Sequence, residues 1–297
     1  MSVEFEDLAL PLKTGPRLAI AIPSSLASEV FDFMERTRKV GYVGRAAAIF
    51  RVEEIMVYVD DSLENARFIE DVLRYLDAPP YLRKRLVTVN PNLRHAGALP
   101  PLKAVHHVPQ AFGVNIREGV VIAADDVRSV VYVGLDKNVI VYKPLAVGKR
   151  VTVEIEKSLP RQYLGKVVEK SSIKLYWGYE VKIFNSIAEL FKHLKGKGYA
   201  ILCASKKGNI IYSVENELSK TLKNVEKVSI VFGGPKLDID EIAEKHSINI
   251  QEHCEITVNF IPRQGVESVR TEEAILIVLA IVNYLKEKYR EIYRDTS

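Results

Sequence analysis

Three loops in the last third of this 297-residue chain combine glycine with small polar and basic residues in a way that suits a ligand site. They are Ala204-Ser205-Lys206-Lys207-Gly208, Phe232-Gly233-Gly234-Pro235 and Ile261-Pro262-Arg263-Gln264-Gly265, and each follows an apolar run that reads as a strand. In an open α/β sheet, ligands sit beyond the carboxyl ends of strands. Glycine there lets a planar ligand reach the main chain with no Cβ in the way, so Gly233 and Gly265 are the expected points of close approach. The loops contain neither G-x-G-x-x-G opening a helix nor G-x-x-x-x-G-K-[ST], the patterns that aim several N–H groups at phosphate. A phosphate-free ligand suits them better than a dinucleotide or a nucleoside triphosphate.

Other residues carry charge at defined places. Arg270 and Glu272 flank Thr271 where a last helix should begin, although Glu272 and Glu273 would be favourable there through the helix dipole alone. Arg45 precedes three alanines and a strand-like run. The adjacent histidines His106-His107 would point apart on a strand and have no acidic or thiol neighbour at ligand spacing, so no metal is expected. Arg83-Lys84-Arg85, and then Lys137, Lys143, Lys149, Arg150, Lys157, Arg161, Lys166 and Lys170, form basic stretches interleaved with Tyr132, Tyr142, Tyr163 and Trp177. Each lysine alone is ordinary solvated charge; together with the aromatics they fit a surface that holds single-stranded nucleic acid.

The elements that must position these residues alternate. Arg17 to Ile22 and Glu54 to Val59 read as strands, and helices are expected from Ser28 towards Arg45 and over Leu63 to Leu76. Strand then helix is the mark of an α/β layer with a parallel sheet. From about Leu99 to Lys170 the pattern changes to short strands at Gly119 to Ala123, Val130 to Val133, Val139 to Val141 and Arg150 to Ile155, which suits a five-stranded barrel of the OB type. The α/β rhythm then resumes with helices at Ser186 to Leu194, Val214 to Leu222 and Ile239 to Lys245. Strands are expected at Tyr199 to Ala204, Val228 to Phe232 and Ile256 to Ile261, and a closing helix from Thr271 to about Tyr293. The expected organisation is one discontinuous α/β domain, 1–98 and 171–297, with a small β-barrel domain inserted at 99–170.

A mean hydropathy of zero and a net charge of +4 describe a globular chain able to meet a polyanion. The longest wholly apolar run, Ala274 to Val282, is far short of the roughly 20 residues that cross a bilayer. Met1 to Leu10 carries three acidic residues and no basic one, which fits neither a secretory signal nor a transit peptide, and a cytoplasmic protein is expected. Cys203 and Cys254 lie far apart with no C-x-x-C company, so buried reduced thiols are expected.

Several stretches, in this order along nearly the whole chain, resemble one family. They are RAAAIFRVEEIMVYVD (Arg45 to Asp60), YLRKRL (Tyr81 to Leu86), LRHAGALPPL (Leu93 to Leu102), REGVV (Arg117 to Val121), YVGLDK (Tyr132 to Lys137), YWGY (Tyr176 to Tyr179), VFGGP (Val231 to Pro235), NFIPRQG (Asn259 to Gly265) and VRTEEAI (Val269 to Ile275). The family is the SPOUT-class RNA methyltransferases of archaea and eukaryotes that carry an OB-fold insertion. The resemblance implies a trefoil-knotted C-terminal end, a homodimer and S-adenosylmethionine as cofactor. It places the cofactor at Ser205, Phe232, Gly233, Gly234, Pro235, Ile261, Pro262, Gly265, Val269 and Thr271. Arg45 is then expected to position RNA, and Arg270 and Glu272 to shape the catalytic pocket. Arg83, Lys84, Arg85, Lys137, Lys149 and Arg150 are expected on the RNA surface, with ribosomal RNA and uridine N3 as the expected target. The competing reading is a non-catalytic RNA-binding or ribosome-assembly protein that keeps the scaffold.

Overall fold

The computed structural model describes residues 10–294, so the acidic segment at the N-terminus lies almost wholly outside them. The chain divides into two compact units, one holding 10–13, 75–94 and 101–178, the other 14–74, 95–100 and 179–294.

The larger unit is built on a parallel sheet. Its strands are β1 (Arg17–Pro23), β2 (Glu54–Tyr58), β8 (Glu180–Phe184), β9 (Ala200–Ile210), β10 (Lys227–Phe232) and β11 (Ile256–Asn259), in the order β11-β9-β10-β1-β2-β8. The central strands are buried on both faces, which is why RLAIAIP and EIMVY are nearly unbroken apolar runs. Helices cover the sheet: α1 (Phe33–Ile49), α2 (Leu63–Asp77), α4 (Ile187–Gly196), α5 (Ile211–Asn224), α6 (Ile239–Lys245) and α7 (Thr271–Arg294), with a single-turn α3 (Arg83–Leu86) in the other unit. α1 begins later than Ser28 because Ser24–Ala27 forms a 3-10 turn and the Asp32 carboxylate accepts from the Glu35 N–H, capping the helix there. Among the described residues no helix is long and apolar enough to cross a membrane.

The expected reduced thiols are corrected by the structure. Cys203 and Cys254 are both buried, but they are bonded to each other across a Cα–Cα distance of 5.9 Å. Sequence spacing hid this, because edge strand β11 is brought beside β9 from 51 residues away.

The smaller unit contains the expected closed barrel, in the order β3-β4-β5-β7-β6. Its strands are β3 (Ile116–Ala124), β4 (Ser129–Tyr132), β5 (Val139–Val141), β6 (Arg150–Ser158) and β7 (Tyr163–Val167). β5 and β7 run parallel and every other pair is antiparallel. Seven valines fill it, Val121, Val131, Val133, Val139, Val141, Val151 and Val153, a uniform small residue suited to a narrow interior. β7 escapes pattern reading because Gly165 interrupts it. A Cβ at that position would lie 2.4 Å from the Glu154 carbonyl oxygen, so the closing strand needs the residue with least strand propensity.

Residues 75–94, which the sequence reading assigns to the α/β domain, pack with the barrel instead. The reason is a buried polar cluster. Glu118, wholly buried, accepts from Trp177 Nε1 at 2.7 Å, Thr152 Oγ1 at 2.6 Å and Arg150 Nε at 2.5 Å. Arg150 also pairs with Asp77 at 3.0 Å, and Asp77 meets His106 Nε2 at 3.1 Å. His106 and His107 do not point apart as a strand would make them: they sit in a 3-10 turn and both Nε2 atoms lie 3.0 Å from the Asp77 carbonyl oxygen. Burial raises the Asp77 and Glu118 carboxyls, but Arg150, His106, Lys170 and the hydrogen bonds to the two groups together outweigh it and hold both below the usual carboxylate range. Burial, with His106 adding to it, pushes His107 down to about 4.

Candidate functional site

The site lies at the carboxyl ends of β9, β10 and β11. Register fixes its first wall. Thr257 pairs with Cys203 but the next residue, Val258, pairs with Asn209, so residues 204–208 leave the ladder as a wide bulge. Ser205, buried at the root of this bulge, lies 2.9 Å from Asp238 Oδ2 and 2.6 Å from Asp240 Oδ2, and its single hydroxyl hydrogen serves one of them at a time. The Lys206 N–H adds a bond to Asp238 Oδ2 at 3.2 Å, and Asn259 Nδ2 donates to the Lys206 carbonyl at 2.9 Å.

The second wall is the β10–α6 loop. Asp238 caps α6 by accepting from the Ile239 N–H, while Glu241 reaches back to the Asp238 N–H at 2.9 Å, a bond that holds the Glu241 carboxyl below its ordinary value. The loop folds back so tightly that a Cβ on Gly233 would stand 2.6 Å from the Ile239 nitrogen and 2.9 Å from the Asp238 carbonyl carbon. Gly233 is therefore required by the chain's own close approach, a reason different from the expected approach of a ligand. The buried Tyr58 hydroxyl donates to the Phe232 carbonyl at 2.6 Å, and burial pushes that phenol well above its ordinary value.

The third wall is the β11–α7 connection. Asn259 Oδ1 accepts from the Ile261 N–H at 3.0 Å, and Gln264 Nε2 donates to the carbonyls of Val266 and Glu267. The chain leaves edge strand β11 and returns past β9 to β10, where Thr271 Oγ1 donates to the Gly233 carbonyl at 3.2 Å.

Between these walls lies a cleft enclosing about 800 Å³ out to its open mouth. Of the ten residues expected to hold a cofactor, Ser205, Phe232, Gly233, Gly234, Pro235, Ile261, Val269 and Thr271 line it; Pro262 and Gly265 do not. A Cβ on Gly265 would meet nothing within 4 Å. Lining residues missed from the sequence include Leu237, Phe260, Ala274 and Val278. The last two were findable, since 271, 274 and 278 follow helical spacing along one face of α7. Ser205, Asp238, Asn259 and Gln264 spend their hydrogen bonds holding the loops, so an incoming ligand meets apolar walls and main-chain groups, with the charged side chains of Lys206, Lys236 and Glu241 also on the lining. The apolar and main-chain part of that lining takes an uncharged planar heterocycle, recognised by backbone atoms.

Glu272 is placed elsewhere. It turns to α1, 3.2 Å from the Nζ of Lys39, which is 6% exposed and also pairs with Glu29. Burial lowers the Lys39 pKa and Glu272 partly restores it. Glu272 thus ties α7 to α1 and does not line the cleft. Arg45 and Arg270 are exposed and outside the lining.

In the smaller unit the expected RNA residues separate. Arg150 is a correction, because its guanidinium is engaged by Asp77 and Glu118. Arg83 lies over the Tyr75 ring and bonds the Ala78 carbonyl, and Lys137 bonds the Leu159 carbonyl. Arg85 lies over the Tyr132 ring, and Lys84 and Lys149 are exposed.

The family described as "Putative RNA methyltransferase" matches residues 17–282. A human 28S rRNA (uridine-N(3))-methyltransferase is 32% identical over 94% of this chain and 80% of its own length. A protein of the same name from Drosophila melanogaster is 31% identical over 94% of this chain, which spans 64% of that relative. The crystal structure of the SpoU methyltransferase AviRb from Streptomyces viridochromogenes aligns with 97% of this chain and 66% of that chain at 8% identity and a TM-score of 0.38, a likeness too low to carry the fold.

Proposed function

Because the chain belongs to the RNA methyltransferase family matched over residues 17–282, we propose that it transfers a methyl group from S-adenosylmethionine to a base of ribosomal RNA, with uridine N3 as the acceptor. The observation that carries this reading is the cleft, whose lining offers backbone groups and apolar walls beside Lys206, Lys236 and Glu241, on loops that lack the glycine patterns of phosphate binding. An adenosine fits that donor set. Main chain at Phe232 to Gly234 and at Ile261 and Val269 would hold it, with Leu237, Phe260 and Val278 against its faces. When bound, the sulfonium supplies an electrophilic methyl group. The loops then have to hold the acceptor in line with it at near-attack distance. An N3 acceptor must lose its proton, which we assign to solvent water at the open mouth of the cleft, and Arg270 and Arg45 are the cations we assign to stabilising the resulting anion or its phosphates. Glu272, committed to Lys39, is not assigned to take that proton.

We assign the exposed face shared by α1 and α7, which pack together, to a second copy of the chain. Tyr42, Ile49, Leu276, Ile277 and Tyr284 are all exposed on these helices, an apolar surface that calls for cover. Arg45, between Tyr42 and Ile49, would then face the partner. Light scattering should give twice the 33.5 kDa chain mass, and Leu276→Glu with Tyr42→Glu should halve it; a wild-type monomer would refute the dimer.

The activity is tested by mass spectrometry of nucleosides from ribosomal RNA incubated with the protein and labelled S-adenosylmethionine, beside calorimetric titration of the cofactor. Label in methyluridine is the expected result. No heat at millimolar cofactor would overturn the methyltransferase reading and leave a non-catalytic RNA-binding scaffold.

A further inference from the structure

The barrel has two unlike ends. The pairings of β3 with β4 and β6, and of β5 with β7, place the loops at 125–128 and 142–149 at one end and those at 133–138 and 159–162 at the other. The second end is built into its own unit. The Tyr81 ring occupies the space a side chain on Gly134 would need, and Arg117 lies over that ring while bonding the Val133 carbonyl.

Aromatic rings in this unit are engaged in the same way. Tyr132 lies under Arg85 at 4.4 Å. Tyr163 lies under Lys137 at 5.3 Å and gives its hydroxyl to Asp136, and Trp177 is 1% exposed with its N–H on Glu118. Tyr142 differs, being 69% exposed, and among the described residues no ring or cation covers it. It opens the 142–149 loop, where Val147 is also exposed, and the 125–128 loop presents the exposed Val127 at the same end of the barrel.

The platform is held firmly. Leu145 packs into the barrel core, Ser129 Oγ donates to the Lys143 carbonyl at 2.7 Å, and Val121 exchanges backbone hydrogen bonds with Gly148 and Lys149. Lys143 and Lys149 project from this loop with no ion pair among the described residues, and residues 142–149 contain no acidic side chain. A free aromatic ring sharing one end of the barrel with exposed aliphatic groups and two unpaired cations matches a stacked base with its neighbouring phosphates.

We propose that this end of the barrel binds single-stranded RNA, with Tyr142 stacking on a base and Lys143 and Lys149 contacting the neighbouring phosphates. The proposal rests on the RNA methyltransferase reading and adds to it a second set of residues that grips the substrate. The face with Tyr132 and Arg85, where sequence placed part of the RNA surface, is already closed on itself.

The test is fluorescence anisotropy of a labelled oligouridylate of about twelve nucleotides against the full-length protein over a salt series. Tyr142→Ala should weaken binding about tenfold, and Lys143→Gln with Lys149→Gln should lower the salt slope by about 1.4. Trp177 fluorescence and S-adenosylmethionine titration should stay as in the wild type for every variant. If the wild type binds and the variants bind equally well with an unchanged slope, the assignment of this surface is overturned while the RNA reading stands. If the wild type fails to bind at low salt, the RNA reading itself falls.

Discussion

Gly233→Ala is expected to weaken S-adenosylmethionine binding by at least about tenfold, whereas Gly265→Ala leaves it unchanged. The two glycines look alike in sequence, each closing an apolar run before a helix. In the structure one added methyl group meets opposite surroundings. At Gly233 it would sit 2.6 Å from the Ile239 nitrogen, which cannot move without uncapping α6 and releasing Asp238 from the 204–208 bulge. The Gly233 carbonyl, which holds Thr271, would move with it. Two walls of the cleft would therefore open together. At Gly265 the methyl group would enter open space. Calorimetric titration of both variants, with thermal melts to confirm folding, decides the matter, and equal loss in both would place the ligand against Gly265 instead.

Glu118→Ala is expected to destabilise the barrel unit by about 3–5 kcal/mol. The substitution leaves Arg150 with one carboxylate partner where it had two, and strips acceptors from Trp177 Nε1 and Thr152 Oγ1. Glu118→Gln, which keeps an acceptor oxygen, should cost less. Trp177 is the chain's sole tryptophan and donates to Glu118 itself, so its fluorescence during urea unfolding reports this unit. The same measurement should show stability falling as the solution is acidified. Between pH 6.5 and about 4 an unfolded chain protonates His107 while the folded one does not, a loss of about 3 kcal/mol at most. Asp77 and Glu118, depressed in the fold, add stability above about pH 4 that is lost as pH falls through their folded values. His107→Gln should flatten the first part of this profile. A profile flat from pH 7 to 4.5 in the wild type would contradict the burial of a neutral imidazole.

Sequence made the central sheet legible because strands buried on both faces must be apolar throughout, and RLAIAIP and KVSIVF have no other reading. Edge strand β8 was missed because EVKIF alternates polar and apolar residues over only five positions. The cleft was legible as loops with glycine, while the eight expected residues that line it came from the family resemblance, Val269 and Thr271 lying outside those loops. What sequence could not show is how side chains are spent. Ser205 looks like a ligand donor until Asp238 and Asp240 appear beside it, and Arg150 looks like an RNA contact until Asp77 and Glu118 claim it. Both outcomes depend on residues more than thirty positions away.

The strand order has a consequence for synthesis on the ribosome. β1 and β2 emerge first and pair with each other, yet Arg17 of β1 must wait for Lys227 of β10, and Glu54 of β2 for Glu180 of β8. The barrel strands, all within residues 116–167, are followed closely by β8 at Glu180–Phe184, whereas β10 begins only at Lys227. Until β10 is made, the nascent chain therefore carries a finished barrel and a β1-β2-β8 ribbon whose open β1 edge invites wrong pairing. Folding of the sheet is deferred until nearly the whole chain has left the tunnel, so the cleft forms last, from the segments translated last.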